Sequence, residues 1–280
     1  MEKTYDIIIW GASGFTGRLV VDYFCHSQSN TNLNWAVAGR NEKKIKEVLN
    51  GRDVPVLIAD SHDKDSLNDL VKKTKVILTT VGPYARYGSK LVEACAENGT
   101  HYCDLTGEVH WMRHMINKYQ LIAKESGAKI VHTCGFDSIP SDIGVFFLQK
   151  NMREMHGVNA KQIKYRTRGF SGGASGGTVD SLMSMMEEAK KDPSIFKIIS
   201  NPYSLNDKNA GLDGPDKMSP YFDKDFNAWV GPFIMAGINT RVVRRTNELL
   251  DNIYGQDFIY DEGSITCLLY TSDAADESVR

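Results

Sequence analysis

Three glycines constrain this 280-residue chain more than anything else in it: Gly11, Gly14 and Gly17 stand in GASGFTG, directly after the apolar run IIIW and directly before a helical pattern. Each glycine answers a physical need of a strand-to-helix turn that receives an anion. The first lets the chain turn sharply, the second lets backbone amides approach a pyrophosphate, and the third lets a helix pack closely on a strand. The dipole of the helix then favours negative charge at its N-terminus. In this context Gly11, Ala12, Ser13, Gly14, Phe15, Thr16 and Gly17 read as a dinucleotide-binding loop.

The sequence around the loop repeats strand, helix, strand. Strand-like runs fall at 6–10, 34–38, 54–58, 76–80, 101–104 and 129–133, and amphipathic segments at 15–26, 42–49, 64–73, 89–97, 110–126 and 141–155. Such alternation predicts an α/β fold, a Rossmann-type doubly wound parallel sheet covered on both faces, over residues 1–150. From residue 159 the rhythm changes. Residues 161–168 alternate polar and apolar, a glycine-rich loop (171–178) follows, and 179–190 reads as a helix. A second, α+β substrate domain is expected over 159–265, with a further helix at 241–250 and a strand at 257–260. Residues 200–232, which contain Pro202, Pro215 and Pro220, read as a long loop or lid. Residues 266–280 break the rhythm and read as a non-native tail.

Composition narrows the partners. A net charge of −2 provides no basic field for a phosphate backbone, which excludes nucleic acid. The N-terminus lacks a secretory pattern and no apolar run approaches the roughly 20 residues that span a bilayer, so a cytoplasmic location is expected. Five scattered cysteines without a CxxC pair read as reduced thiols. His110 and His114 lie four apart on a helix but lack companion ligands, and no metal site is expected.

The second strand ends in Ala38-Gly39-Arg40-Asn41, with no carboxylate where NAD-specific folds carry one for the ribose hydroxyls. Arg40 offers a planar fork of donors to a 2′-phosphate, and Lys43 or Lys44 adds charge, so Gly39-Arg40 favours NADP(H). A role for Arg40 at the start of the next helix is the alternative. Asp60, past the third strand, suits either an adenine-facing position or a helix cap. Val81, Gly82, Pro83 and Tyr84 end the fourth strand at the carboxyl edge, where ligands bind in this architecture, and are expected beside the nicotinamide ribose. A simple turn accounts for Gly-Pro equally well.

Hydride transfer often needs a proton donor. Asp104, Thr106 and Glu108 follow the fifth strand, and Asp137, Ser138, Ser141 and Asp142 follow the sixth. Tyr84, Glu108 and Asp137 are the catalytic candidates. For each a structural role competes: packing for Tyr84, the helix dipole for Glu108, and a helix cap for Asp137.

The segments GASGFTGRLV, WAVAGRN, VGPYARYG, YCDLTGE, CGFDSIPSDIG, SGGT and VVRRTNELL, in this order, resemble the saccharopine dehydrogenase-like oxidoreductases, a group that includes the trans-acting enoyl reductases. The similarity runs from residue 5 to 262, and the combination of VGPY, GFDSIPSD and SGGT is its specific part. The resemblance implies a Rossmann domain followed by an α+β substrate domain, NADPH as hydride donor, and an acyl or otherwise lipid-like substrate. It also implies a longer native chain, with the substrate domain here truncated. The expected function is therefore an NADPH-dependent oxidoreductase acting on a double bond or carbonyl of a small, lipid-linked molecule. Peripheral contact with a membrane or lipid droplet and a homodimer are the accompanying partner expectations. A non-catalytic dinucleotide-binding redox sensor or scaffold at a lipid surface is the alternative.

Overall fold

In the computed structural model the described residues are 3–27, 32–136, 138–169, 176–208 and 211–266. The apolar runs become strands and the amphipathic segments become helices. The first half is β1 (Tyr5–Trp10), α1 (Phe15–Ser27), β2 (Trp35–Gly39), α2 (Glu42–Leu49), β3 (Val56–Ile58), α3 (Lys64–Val71), β4 (Thr74–Thr79), a short α4 (Tyr84–Tyr87), α5 (Ser89–Glu97), β5 (His101–Cys103), α6 (Val109–Ser126) and β6 (Ile130–Val131). The six strands form one parallel sheet in the order β3-β2-β1-β4-β5-β6. That order is the doubly wound Rossmann arrangement, whose direction reverses between β1 and β4.

Burial matches the interior positions of β1 and β2 in this sheet. Ile8, Ile9, Ala36, Val37 and Ala38 are fully buried, as expected of strands covered on both faces. Ile9, Ala12, Val21, Val37, Ile45 and Leu49 form one core cluster that joins β1 and β2 to α1 and α2. Each such branched side chain contributes about 2 kcal/mol when buried.

The second half supplies α7 (Ile139–His156), β7 (Gln162–Thr167), α8 (Gly176–Lys191), α9 (Ser194–Ser200), β8 (Tyr221–Asp223), β9 (Ala228–Gly231), α10 (Ala236–Leu249) and β10 (Ile259–Thr266). A four-stranded mixed sheet runs β7-β10-β9-β8, with β7 and β10 parallel and the β8-β9-β10 pairs antiparallel. Val145 of α7 and Val243 of α10 pack with Tyr254, Phe258 and Tyr260 in its core.

The chain divides into two compact units, Met1–Gly135 with Ser175–Lys191, and Phe136–Ala174 with Asp192–Arg280. This division differs from the boundary drawn at residue 150 in two respects. Helix α7 belongs to the second unit, because Val145 faces that unit's aromatic core and Asp142 accepts a hydrogen bond from Thr246 of α10 (2.9 Å). Helix α8, expected in the substrate domain, belongs to the first: Ser181 donates to Glu108 (3.0 Å) and Glu188 meets His110 (3.1 Å).

The stretch expected as a long loop or lid contains two short strands. Within 200–232, β8 and β9 form a hairpin whose turn places Asn227 at φ 47°, a conformation asparagine tolerates better than most residues. The strands are three and four residues long, too short for a period-2 pattern to emerge among prolines and asparagines. Thr266, grouped by sequence with the tail, is the last residue of β10 and pairs with Trp229; residues 267–280 lie outside the described residues. Among the described residues no helix is long and apolar enough to cross a membrane.

Candidate functional site

The glycine loop connects β1 to α1 at the carboxyl edge of the sheet. Gly11 has φ 91°, and a Cβ there would lie 2.5 Å from Val81 Cγ2. A Cβ on Gly17 would lie 2.1 Å from the Gly11 carbonyl oxygen. The loop thus closes tightly on β4 and on itself, and neither position has room for a side chain. Gly14 N–H donates to the Gly11 carbonyl (3.0 Å) and Arg18 N–H to the Gly14 carbonyl (3.0 Å). Among the described residues, the amides of Ala12, Ser13, Phe15 and Thr16 have no acceptor. Four free donors at the N-terminus of a 13-residue helix form a cradle suited to phosphate oxygens.

Arg40 follows β2 at this same edge and is exposed. Its guanidinium takes part in no hydrogen bond or ion pair among the described residues. The helix-start role is filled by its neighbour: Asn41 caps α2, its side chain accepting from Lys44 N–H (3.0 Å). Asp60 does not cap α3 either. Asp63 does so, accepting from Asp65 and Ser66, while Asp60 Oδ1 accepts the His62 amide (2.8 Å). Val81 and Gly82 line the path from β4 to α4, and Pro83 occupies the N-cap of α4.

Two of the three catalytic candidates turn out to be firmly engaged. Glu108 is 3% exposed, and its two oxygens accept the backbone amides of Tyr84 (2.8 Å) and Ala85 (2.8 Å), with Ser181 adding a third donor. The carboxylate therefore ends the otherwise uncapped start of α4, a structural charge-assisted role. Tyr84 is buried against Trp111, and its hydroxyl donates to the Thr79 carbonyl (3.3 Å). Burial, then the nearby Asp104 carboxylate, push its phenol well above the ordinary range and keep it neutral. Asp137 and residues 171–175 of the glycine-rich loop lie outside the described residues.

The residues after α7's start belong to the second unit. Ser138 makes no side-chain cap and instead donates to Asn239 Oδ1 (2.8 Å). Asn239 in turn donates to Ser141 (3.3 Å) and Glu262 (2.9 Å), and Tyr260 donates to Glu262 (2.7 Å). Burial raises the Glu262 carboxyl above its ordinary value, partly offset by these donors. The sequence reading singled out neither Asn239, Tyr260 nor Glu262.

Asp104 organises the ends of β5 and β6. Its side chain is fully buried; Oδ1 accepts the amides of Thr106 (3.0 Å) and Thr133 (3.0 Å), and Oδ2 accepts Tyr102 O–H (2.9 Å) and His132 Nδ1–H (2.7 Å). Thr133 sits at φ 59°, a left-handed conformation that costs a β-branched residue about 1–2 kcal/mol. His132 was not singled out from the sequence. The available signal was an Asp at one strand end and a His at the next, both on the ligand edge.

Parallel strands in this order, a strand-to-helix glycine loop with open amides and a free arginine after β2 define a dinucleotide-binding Rossmann-type domain. Residues 7–131 match the saccharopine dehydrogenase NADP binding domain. Two curated relatives are the trans-acting enoyl reductase of Mycobacterium ulcerans, 38% identical over 275 residues, and that of Mycobacterium bovis (strain BCG / Pasteur 1173P2), 37% identical over 276. Each alignment covers 93% of this chain and 65% of the relative's length. Among solved structures, apo saccharopine dehydrogenase (L-Glu forming) from Saccharomyces cerevisiae superposes with a TM-score of 0.43 at 15% identity, over 58% of this chain and 34% of that one.

Proposed function

We propose that this chain belongs to an NADPH-dependent oxidoreductase that reduces a polarised double bond or carbonyl in a small acyl or lipid-linked molecule. The observation that carries the cofactor half is the pairing of a cradle of free amides with an open guanidinium: Ala12, Ser13, Phe15 and Thr16 for the pyrophosphate, Arg40 for the 2′-phosphate. The match to an NADP binding domain supports it. The relatives' name, enoyl reductase, supports a conjugated acyl double bond as the group reduced.

In this reading the bound cofactor supplies the hydride. The chain's own residues do the rest. The loop amides and the α1 dipole hold the pyrophosphate, and Arg40 discriminates the phosphorylated ribose. The Val81–Pro83 segment leads from β4 into α4, whose first amides Glu108 holds, and would face the nicotinamide end of the bound cofactor. Asp60 stands past β3, on the adenine side of the strand order.

The test is consumption of NADPH, followed at its absorbance maximum, with short 2-enoyl thioesters, ketones and imines as substrates. Reduction of the thioesters at rates well above those with NADH supports the reading. Tight NADPH binding without turnover of any of the three classes would favour the sensor alternative.

A further inference from the structure

Among the described residues, the candidate donors Glu108 and Tyr84 are both engaged in holding the fold. The geometry points to His132, held by Asp104, as the residue that delivers the proton at the nicotinamide end of the site. This inference rests on the NADPH-dependent reading above.

Four observations carry it. His132 directly follows β6, and Asp104 directly follows β5, so both lie at the carboxyl edge of the sheet in the half (β4-β5-β6) opposite Arg40. With the adenine half over β2 and β3, this is where the reactive end of a dinucleotide lies in a doubly wound sheet. The Asp104 carboxylate takes His132 Nδ1–H at 2.7 Å, which fixes the ring's orientation and leaves Nε2 as the working nitrogen. That nitrogen makes no hydrogen bond among the described residues, is absent from the buried unpartnered atoms, and belongs to a side chain that keeps 9% of its surface open. Finally, the ring is clamped edge-on between Tyr102 (5.8 Å) and Trp111 (5.0 Å), and the next residue, Thr133, is held in a left-handed conformation by the same carboxylate. Strain of that kind persists where a position is over-determined, as at sites whose geometry matters.

The chemistry balances simply. NADPH would supply a hydride, two electrons and one hydrogen, to one atom of the double bond. The pair of electrons displaced from that bond takes the proton from His132 Nε2–H, leaving a neutral imidazole and a saturated product. The imidazole recovers its proton from water. Asp104 holds the ring through Nδ1 and so keeps Nε2 directed away from the carboxylate. Among the described residues, the ionisable groups in contact with the imidazole are Asp104, directly after β5, and Tyr102 of β5; Trp111 of α6 packs on it without a charge.

Two measurements test this. In protein labelled with 15N-histidine, the His132 ring signals, assigned by their loss in His132→Gln, are followed during titration with NADPH and, separately, with adenosine 2′,5′-bisphosphate, which lacks the nicotinamide. Movement with NADPH but not with the bisphosphate is expected. Saturating NADPH that leaves the His132 signals unmoved overturns the inference while leaving the cofactor reading intact. Failure of NADPH to bind at all overturns both. In turnover of a crotonyl thioester, His132→Gln is expected to hold NADPH within twofold of wild type, to lose about 100-fold or more in kcat, and to have a rate that varies less with pH than that of wild type. An unchanged pH profile and rate in that variant would assign His132 a packing role only.

Discussion

Gly17 stands so close to Gly11 that a Cβ on the helix residue would lie 2.1 Å from the carbonyl oxygen of the turn residue. The contact is backbone on backbone, so no rotamer change relieves it. Gly17→Ala is therefore expected to cost about 3 kcal/mol or more and to abolish dinucleotide binding. Gly14→Ala meets only the same oxygen at 3.3 Å, which a shift of a few tenths of an ångström relieves, and is expected to change stability by less than about 1 kcal/mol. Urea denaturation of the two variants separates them; equal stability would show that the close approach carries no weight.

Glu108 serves the fold through two amides and a hydroxyl. Glu108→Gln replaces one acceptor oxygen with an amino group that faces a backbone N–H. We expect a loss of about 3 kcal/mol, which for a chain of this size lowers Tm by roughly 6–12 °C. A variant with wild-type Tm and reduced turnover would instead mark Glu108 as a catalytic acid.

Asp142 lies in the second unit beneath α10, with one oxygen bonded to Thr246 and the other buried without a partner. Burial pushes its carboxyl up to about 6, partly countered by the Thr246 hydrogen bond. A carboxyl that holds its proton more tightly when folded loses stability as pH rises from the ordinary range through 6, and stays less stable above it. Asp142→Asn is expected to raise stability by about 2 kcal/mol at pH 7.5 and to leave it unchanged near pH 4. Denaturation midpoints at the two pH values decide; a variant destabilised at pH 7.5 would mean that the carboxylate is held by charge, not tolerated.

The first unit was more legible in the sequence than the second for a physical reason. Buried central strands such as Ile7–Trp10 write themselves as unbroken apolar runs, and a strand-to-helix turn that approaches an anion requires glycines at fixed places. Short or long-range features leave no such trace. The four-residue α4 is defined by Glu108, which lies 24 residues from Tyr84. The membership of α8 depends on Glu188 meeting His110 across 78 residues, a pairing that no local period contains. His132 stayed hidden because β6 is two residues long and its partner Asp104 lies on the neighbouring strand. Asn41 and Asp63, each a conventional cap three residues before its bonded amide, were readable, and their presence removes the capping alternatives for Arg40 and Asp60.

The claim on which the account turns is that this domain selects the phosphorylated dinucleotide through Arg40. The direct measurement is a titration of NADPH and NADH against wild type and Arg40→Ala, followed by quenching of tryptophan fluorescence. Wild type is expected to bind NADPH more tightly than NADH, and Arg40→Ala to lose roughly 10–100-fold in NADPH affinity with little change for NADH. Equal affinities for the two cofactors, indifferent to the substitution, would contradict it.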